Sequence, residues 1–249
     1  MKRLTLIPVL TALLVGCGGS GSGSVPPPIP QSFAGIWAGT DVNGAPITAY
    51  STDRGEFFWR GNSGSFAQEG TAIGVSITGN SVNMNLLLSG ASPPAGCTVS
   101  GTFEERSSIV LSGPCSARLG GSFDLSIAFT YDDRYERGSS LNEIAGMYRE
   151  RPFNDVLVVD SMGVLFMQMA DLGCVVNGQV SVIDPQWSAY GVSVVYSNCN
   201  ISLPINFNDI EMTGTLFLAA DGGQDQIMAI FSGVTTNGAV SRLFFAERI

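Results

Sequence analysis

The sequence predicts an all-β protein, because strand-like alternation, frequent turn signals and an internal repeat run through most of the 249 residues. The alternation is clearest between Ser122 and Tyr131, where every second residue is apolar. A period of two is typical of an antiparallel strand with one buried face. Asn43-Gly44 and Asn237-Gly238 are typical of tight hairpin turns. No long amphipathic helix is predicted beyond the first thirty residues, although residues 139–147 allow one helical turn.

A repeat of short motifs predicts that the body is duplicated. Residues 33–37 correspond to 144–148, residues 97–101 to 174–178, and residues 112–115 to 196–199. Short strands separated by tight turns favour antiparallel barrels or sandwiches. We therefore expect two tandem, duplicated antiparallel β-barrel-like domains, at residues 33–137 and 138–249. A single larger barrel or sandwich is the alternative.

The N-terminus has the composition of an export signal. Lys2 and Arg3 precede an apolar segment, residues 4–15. As a helix this segment would rise only about 18 Å, against about 30 Å for the core of a bilayer. We interpret residues 1–16 as a cleaved secretory signal peptide. The sequence Leu14-Val15-Gly16-Cys17 resembles the lipobox of bacterial lipoproteins, which implies cleavage before Cys17, lipid on its thiol and acylation of the new amino terminus.

Residues 17–32 are then expected to be a lipidated cysteine and a tether. The glycines and serines of 18–24 are typical of flexible coil, and the prolines of 26–30 are typical of a stiffer extended spacer. Several acyl chains together anchor a protein stably, so the partner implied here is a membrane. No acidic residue directly follows Cys17. Among lipoproteins of two-membraned bacteria this favours the outer membrane, so the resemblance implies the cell envelope, on its periplasmic or surface face.

The cysteine count fits an exported protein. With Cys17 lipidated, four of the five cysteines remain, and an oxidising compartment favours disulfide bonds between them. Because the repeat places two in each half, we predict the pairs Cys97–Cys115 and Cys174–Cys199. The spacings are long, no C-x-x-C occurs and no histidine is present, which argues against a metal site.

The repeated cysteine motifs also predict which strand face is buried. Alternate residues place Cys97, Val99, Gly101 and Phe103 on one side, and Cys174, Val176, Gly178 and Val180 on one side. The disulfides should therefore pack in the core, and the glycines should mark a bend or a close backbone approach. Gly35-Ile36-Trp37 resembles the Gly-x-Trp opening of lipocalin-like barrels, which implies a barrel architecture.

Composition excludes several functions. The chain has no histidine, and its only lysine is Lys2, so the mature protein lacks an imidazole base, a Schiff-base lysine and a phosphate-binding lysine. Without Lys2 and Arg3, 10 cationic residues face 21 carboxylates, a net charge of −11. This balance argues against nucleic acid as a partner. We expect no cofactor and no enzyme activity.

Three kinds of local motif resemble catalytic or metal-binding sites, but the sequence does not favour these functions. Residues 61–65 approach a nucleophile elbow but have the wrong spacing, and 221–225 approach a calcium loop but lack its later ligands. We interpret both as hairpin turns. The paired carboxylates are expected to be solvated rather than catalytic: Glu104-Glu105, Asp132-Asp133 and Asp209 with Glu211.

Aromatic residues could line a cavity or a partner surface, although core packing is the usual role. The set comprises Trp37, Trp59, Trp187, Phe57, Phe58 and Tyr190. Phe57, Phe58 and Trp59 are consecutive, so if Phe57 and Trp59 point inward, Phe58 points outward. Phe58 is the candidate interaction residue. Of the two possibilities, contact with a partner or burial against the other half of the molecule, we favour burial.

Together these observations predict a membrane-anchored envelope lipoprotein that acts as a non-enzymatic binding or structural module. Its ligand would be an envelope protein or a small apolar molecule. The alternatives are a protein inhibitor or assembly accessory, a carboxylate-based hydrolase, and a plain structural surface protein. A hydrolase predicts two carboxylates facing each other across a pocket. A closed, filled barrel would argue against binding a small ligand inside it.

Overall fold

Two closed barrels of eight antiparallel strands make up the body of the protein in a computed structural model. The structure describes residues 31–40, 44–61, 69–88, 95–117, 119–150, 154–170, 173–200, 207–221, 224–235 and 238–249. The predicted signal peptide, Cys17 and nearly all of the tether lie outside the described residues. The prediction of two tandem barrels is confirmed, and the alternative of one larger barrel is wrong.

Barrel 1 is a simple meander in which each strand pairs with the next and the last pairs with the first. Its strands are β1 (Gly35–Thr40), β2 (Pro46–Ser51), β3 (Phe57–Gly61), β4 (Glu69–Thr78), β5 (Ser81–Leu88), β6 (Ala95–Glu104), β7 (Ser108–Ala117) and β8 (Ser122–Asp132). Inward-facing Leu125, Ile127 and Phe129 on β8 are buried, as the alternation predicts. Phe123 shares that side but is 44% exposed near the end of the strand.

Two short helices connect the barrels. A 3₁₀ helix (Asp133–Arg137) begins at Asp132, whose side chain accepts a hydrogen bond from the Arg134 amide. Helix α1 (Leu141–Ile144) begins after Ser140, whose hydroxyl accepts from the Glu143 amide. Each cap satisfies an amide that the helix itself cannot. Helix α1 falls within the segment where the sequence allows one helical turn.

Barrel 2 repeats the meander and closes through β16 and β9. Its strands are β9 (Gly146–Glu150), β10 (Val156–Val159), β11 (Val164–Met169), β12 (Cys174–Val182), β13 (Ala189–Ser197), β14 (Glu211–Asp221), β15 (Gln224–Thr235) and β16 (Gly238–Arg248). Residues from Gln31 to Ile249, with both barrels, form one compact unit. Within the described residues, no helix has the length and apolarity to cross a membrane.

The disulfides and glycines lie as the sequence predicts. Cys97 of β6 is bonded to the directly opposite Cys115 of β7, and Cys174 of β12 is bonded to Cys199. All four cysteines are buried. A Cβ on Gly101 would lie 1.7 Å from the Val110 carbonyl oxygen, and one on Gly178 would lie 2.3 Å from that of Ser193. Each motif glycine therefore permits a backbone approach that no side chain allows.

The repeated motifs do not all occupy equivalent strands of the two barrels. The 33–37 and 144–148 motifs both lead into the first strand of a barrel, where Trp37 and Tyr148 are fully buried. The cysteine hairpin, however, uses the sixth and seventh strands of barrel 1 but the fourth and fifth of barrel 2. An inward cysteine and a glycine at a close crossing fit any hairpin of a small barrel. The motif therefore does not fix the strand number.

The barrels pack side by side through their outer faces. On barrel 1, Ile36, Tyr50 and Phe58 form one row across β1, β2 and β3. This row belongs to a buried cluster that also contains residues of β13, β14 and β15 of barrel 2: Ala189, Phe217, Ala219, Met228 and Ile230. The ring centroids of Tyr50 and Phe217 are 5.4 Å apart. The Arg60 guanidinium lies 4.3 Å from the centre of the Phe245 ring, again between the barrels.

Candidate functional site

A cleft of about 280 Å³ lies at the seam between the barrels and is the candidate functional site. Barrel 1 contributes the β2–β3 turn, barrel 2 contributes the β12–β13 connection and β14, and the 3₁₀ helix contributes Tyr135. The lining residues are Ala34, Ser51, Thr52, Asp53, Arg54, Tyr135, Ile183, Asp184, Trp187, Ala189, Thr215 and Phe217. The fold therefore brings together segments that are far apart in the chain.

A stack of three side chains builds one side of the cleft. The Tyr135 and Trp187 rings are stacked, with centroids 5.4 Å apart and planes 12° apart. The Arg106 guanidinium, from the β6–β7 turn, lies 4.5 Å from the centre of the Trp187 ring. The Ser188 amide donates to the Tyr135 carbonyl at 2.7 Å. Stacking and the hydrogen bond hold this wall in one arrangement.

Each barrel supplies one carboxylate to the cleft. Asp53 Oδ1 accepts hydrogen bonds from the Ser32 hydroxyl and from the Phe33 and Ala34 amides, at 2.9, 3.0 and 3.2 Å. Asp184 Oδ1 accepts from the Gln186 amide at 2.9 Å. Among the described residues, neither carboxylate forms an ion pair within 4.0 Å. Asp53 Oδ1 therefore holds the segment that leads into β1, and Asp184 Oδ1 holds its own turn, which leaves each Oδ2 for another partner.

The Tyr135 hydroxyl is a polar group of the cleft that has no partner among the described residues. Burial, and to a lesser extent the charges of Asp53 and Asp184, raise its pKa to about 12, while Arg106 acts in the opposite direction. The phenol is therefore neutral at physiological pH. Tyr135 is only 6% exposed, yet its hydroxyl makes no hydrogen bond within the described part of the chain. Thr215, also 6% exposed, likewise has no hydroxyl partner there.

The barrel interiors, in contrast, are filled with side chains. Trp37, Phe57, Phe103 and Phe129 are at most 1% exposed inside barrel 1. In barrel 2 a void of about 10 Å³ lies among Leu157, Met167, Tyr196, Phe244 and neighbouring apolar residues. A space of that size corresponds to about one water molecule. A small apolar ligand has no room there unless side chains move.

A shallow groove on the outside of β4–β6, of about 480 Å³, is a poorer candidate. It is lined by uncharged groups such as Ser76, Asn83 and Ser100. The Thr98 hydroxyl donates to Asn85 at 3.2 Å, so these groups partly satisfy one another. The cleft at the seam offers charge, aromatic surface and an unsatisfied hydroxyl together, and we take it as the site.

The structure brings few of the sequence-predicted candidates to this cleft. Trp187 lines it, whereas Trp37, Trp59, Phe57 and Tyr190 pack in the barrel cores. Phe58 is 1% exposed at the contact between the barrels, so it is covered by the other half of the molecule.

The paired carboxylates of the sequence lie elsewhere in the fold. Glu104, Glu105 and Asp209 are exposed, and Asp132 pairs with Arg134. None of these lines the cleft. Residues 62–65 and 222–223 lie outside the described residues. Among the residues that the structure describes, no group of three or more His, Cys, Asp or Glu side chains is placed to hold a metal ion.

Comparison with known proteins leaves the family open. No protein-family model matches the chain, and no curated protein matches it. A solved structure that it resembles is Aeromonas veronii immune modulator A, with 12% sequence identity and a TM-score of 0.38. The match covers 90% of this chain and 96% of that chain. At so low a TM-score the resemblance carries no argument about function.

Proposed function

We propose that this protein is a lipid-anchored envelope lipoprotein that acts as a non-enzymatic binding module and holds its ligand in the cleft between the barrels. The observation that carries the proposal is the contrast between filled barrel interiors and a polar, aromatic cleft lined by the largely buried Tyr135, whose hydroxyl has no hydrogen-bond partner among the described residues. A bound molecule can therefore form a hydrogen bond with this hydroxyl without breaking one within the described part of the protein.

The anchoring part of the proposal rests on the lipobox resemblance at Cys17. A lipidated cysteine followed by Gly, Ser and Pro residues would hold the compact body near a membrane surface while leaving the cleft accessible. We expect the wild-type protein to incorporate a labelled fatty acid and to sediment with envelope membranes. Cys17→Ser should lose the label and leave the membrane fraction or stay unprocessed. Equal membrane association of both forms, without label in the wild type, would refute the anchor.

The binding part is tested by native mass spectrometry of the mature protein, purified gently from its envelope. We expect a co-purifying small molecule on the wild type. Ala34→Phe should remove it, because Ala34 lines the cleft and a phenyl ring there fills it. Ala128→Phe, on the exposed face of β8, is the matched control and should retain the ligand. A wild type that carries nothing and is stabilised by no compound of a small-molecule library would contradict a binding function.

A carboxylate hydrolase is the second candidate, because Asp53 and Asp184 line one cleft and come from different barrels. Paired carboxylates can hydrolyse glycosides without histidine. Each, however, already accepts backbone hydrogen bonds through Oδ1: Asp53 from the segment that leads into β1, and Asp184 within its own turn. Dye release from a panel of aryl glycosides separates the candidates. Turnover by the wild type that Asp184→Asn abolishes would support the hydrolase and refute the non-enzymatic proposal. Equal background rates for both proteins would support the binding module.

A further inference from the structure

The charge of the cleft restricts the ligands that fit it. Asp53 and Asp184 line it without an ion pair within the described residues, and in each the hydrogen bonds to the protein go to Oδ1, so that Oδ2 is left for a ligand. Arg54 also lines the cleft, but it is exposed at the β2–β3 turn. Arg106 lies against the Trp187 ring, in the stack with Tyr135. An anion would therefore meet two carboxylates that have no ion-pair partner within 4.0 Å, while Arg106 is itself paired with Glu136, which argues against a phosphate or a carboxylate ligand.

The Tyr135 hydroxyl supplies an orienting contact for a hydrogen-bond donor. Tyr135 is neutral, so its oxygen can accept a hydrogen bond while its O–H donates to a carboxylate or to water. The Thr215 hydroxyl is a further acceptor in the same cleft. An ammonium group has three N–H donors and no acceptor. Two carboxylates and two hydroxyls match that donor set.

The remaining walls suit an apolar body. Trp187, Phe217 and Ala189 line the cleft together with the polar groups. Aromatic and aliphatic surface beside a few oriented polar groups is the usual make-up of small-molecule sites. A volume of about 280 Å³ limits the ligand to a small one.

From this combination, and resting on the proposed binding function, we infer that the cleft binds a small organic cation: an alkylammonium or arylalkylammonium ion. Its ammonium group contacts Asp53, Asp184 and the Tyr135 hydroxyl, and its apolar part lies against Trp187 and Phe217. A bare metal ion fits less well, because the described residues contain no cluster of three ligating side chains.

Isothermal titration of the mature protein tests this inference with three probes of one shape. Phenethylammonium carries the positive charge, phenethyl alcohol is its neutral counterpart, and hydrocinnamate carries a negative charge. We expect measurable binding of the ammonium ion and at least about tenfold weaker binding of the other two, because only the cation compensates the carboxylates. Raising the salt concentration should weaken the cation's binding.

Three conservative substitutions assign the contacts. Asp53→Asn and Asp184→Asn keep the Oδ1 acceptor that binds the backbone at each position but remove the charge, and each should lower the affinity on the order of tenfold. Tyr135→Phe removes only the hydroxyl and should also weaken binding. Asp124→Asn changes an exposed carboxylate on the outer face of β8 and should leave the affinity unchanged. Thermal unfolding of each variant shows that the fold is intact.

The results that would overturn the inference of a cationic ligand differ from those that would overturn the proposed binding function. Equal or tighter binding of the neutral or anionic probe, or no binding of the cation, would overturn the inference. So would an affinity for the cation that Asp53→Asn and Asp184→Asn leave unchanged in folded protein. A ligand that co-purifies with the wild type and is lost in Ala34→Phe would still support the binding function in that case. If no ligand of any charge binds, both proposals fail.

Discussion

Replacing Phe58 by alanine should destabilise the protein far more than replacing Phe166, although both point outward from the third strand of a barrel. Phe58 lies opposite Tyr50 and is 1% exposed, because barrel 2 covers it. Phe166 lies opposite Val158 on β11 and is 45% exposed. The pair therefore compares the same side chain, pointing outward from the third strand of a barrel, with and without a covering barrel.

The expected magnitudes follow from the burial of each ring. A fully buried phenylalanine removes roughly 150–200 Å² of apolar surface from water, at about 25 cal/mol per Å². Truncation that leaves a cavity typically costs about 3–5 kcal/mol, which we expect for Phe58→Ala. Phe166→Ala leaves no enclosed cavity and loses only part of that burial, so we expect about 1 kcal/mol.

Urea-induced unfolding, followed by circular dichroism, measures both free energies. The wild type should unfold in one transition, because the cluster around Phe58 joins the barrels into a single unit. Phe58→Ala should lower the midpoint strongly or separate the barrels into two transitions. Similar losses for Phe58→Ala and Phe166→Ala would refute the argument that the outer face of β1–β3 is buried against barrel 2.

The remaining predictions concern the barrel crossings, the tyrosines and a disulfide. Gly101→Ala should lower the stability measured by thermal unfolding by at least about 3 kcal/mol, because the new Cβ would lie 1.7 Å from a carbonyl oxygen. Gly96→Ala is the control on the same strand: a Cβ there has open space, so its effect on stability should be nearly zero. Equal effects of the two substitutions would contradict the close backbone approach at Gly101. The pKa of Tyr135 is 10.0 in the unfolded chain and about 12 in the folded protein, so the unfolded state loses its phenol proton at the lower pH. The free energy of unfolding should therefore fall as the pH rises from about 10 to 12. Tyr135→Phe should make that decline shallower, and an unchanged slope would argue against a buried neutral phenol. Removing the Cys97–Cys115 disulfide by substituting both cysteines with serine should lower the free energy of unfolding in urea by on the order of 3 kcal/mol. An unchanged urea midpoint would argue against a stabilising role of this disulfide.

Local sequence patterns were sufficient to predict much of the fold. Period-two alternation identified β8, and the paired motifs identified both disulfides and the close approaches at Gly101 and Gly178. These features depend on neighbours along one strand or across one hairpin, which sequence spacing encodes. Which strands of a barrel form the cysteine hairpin depends instead on how many strands precede it, and the motif contains no information about that number.

The contact between the barrels had a sequence signal that alternation does not capture. Residues 216–219 and 227–231 are continuous apolar runs on β14 and β15. Such runs are typical of strands that are buried on both faces. Phe217 and Met228 accordingly face barrel 1, while Leu216 and Ile227 face the interior of barrel 2.

The cleft could not be predicted from the sequence. Asp53 and Asp184 belong to turns of different barrels, and each looks like an ordinary turn residue that holds backbone amides. Tyr135 lies in the short connection between the barrels, where nothing marks it as buried. Only the side-by-side packing of the barrels brings these groups to one cavity.

The indole N–H resonances of the three tryptophans test the central claim most directly. Trp37 and Trp59 are buried inside barrel 1, where the Trp37 indole donates to Ser51 at 2.7 Å, whereas Trp187 lines the cleft. On titration of the protein with phenethylammonium, the Trp187 resonance should shift in a saturable way while that of Trp59 stays in place; Trp37 is no control, because its acceptor Ser51 lines the cleft. A saturable shift of Trp59 with none at Trp187 would place the ligand inside a barrel and contradict binding at the seam.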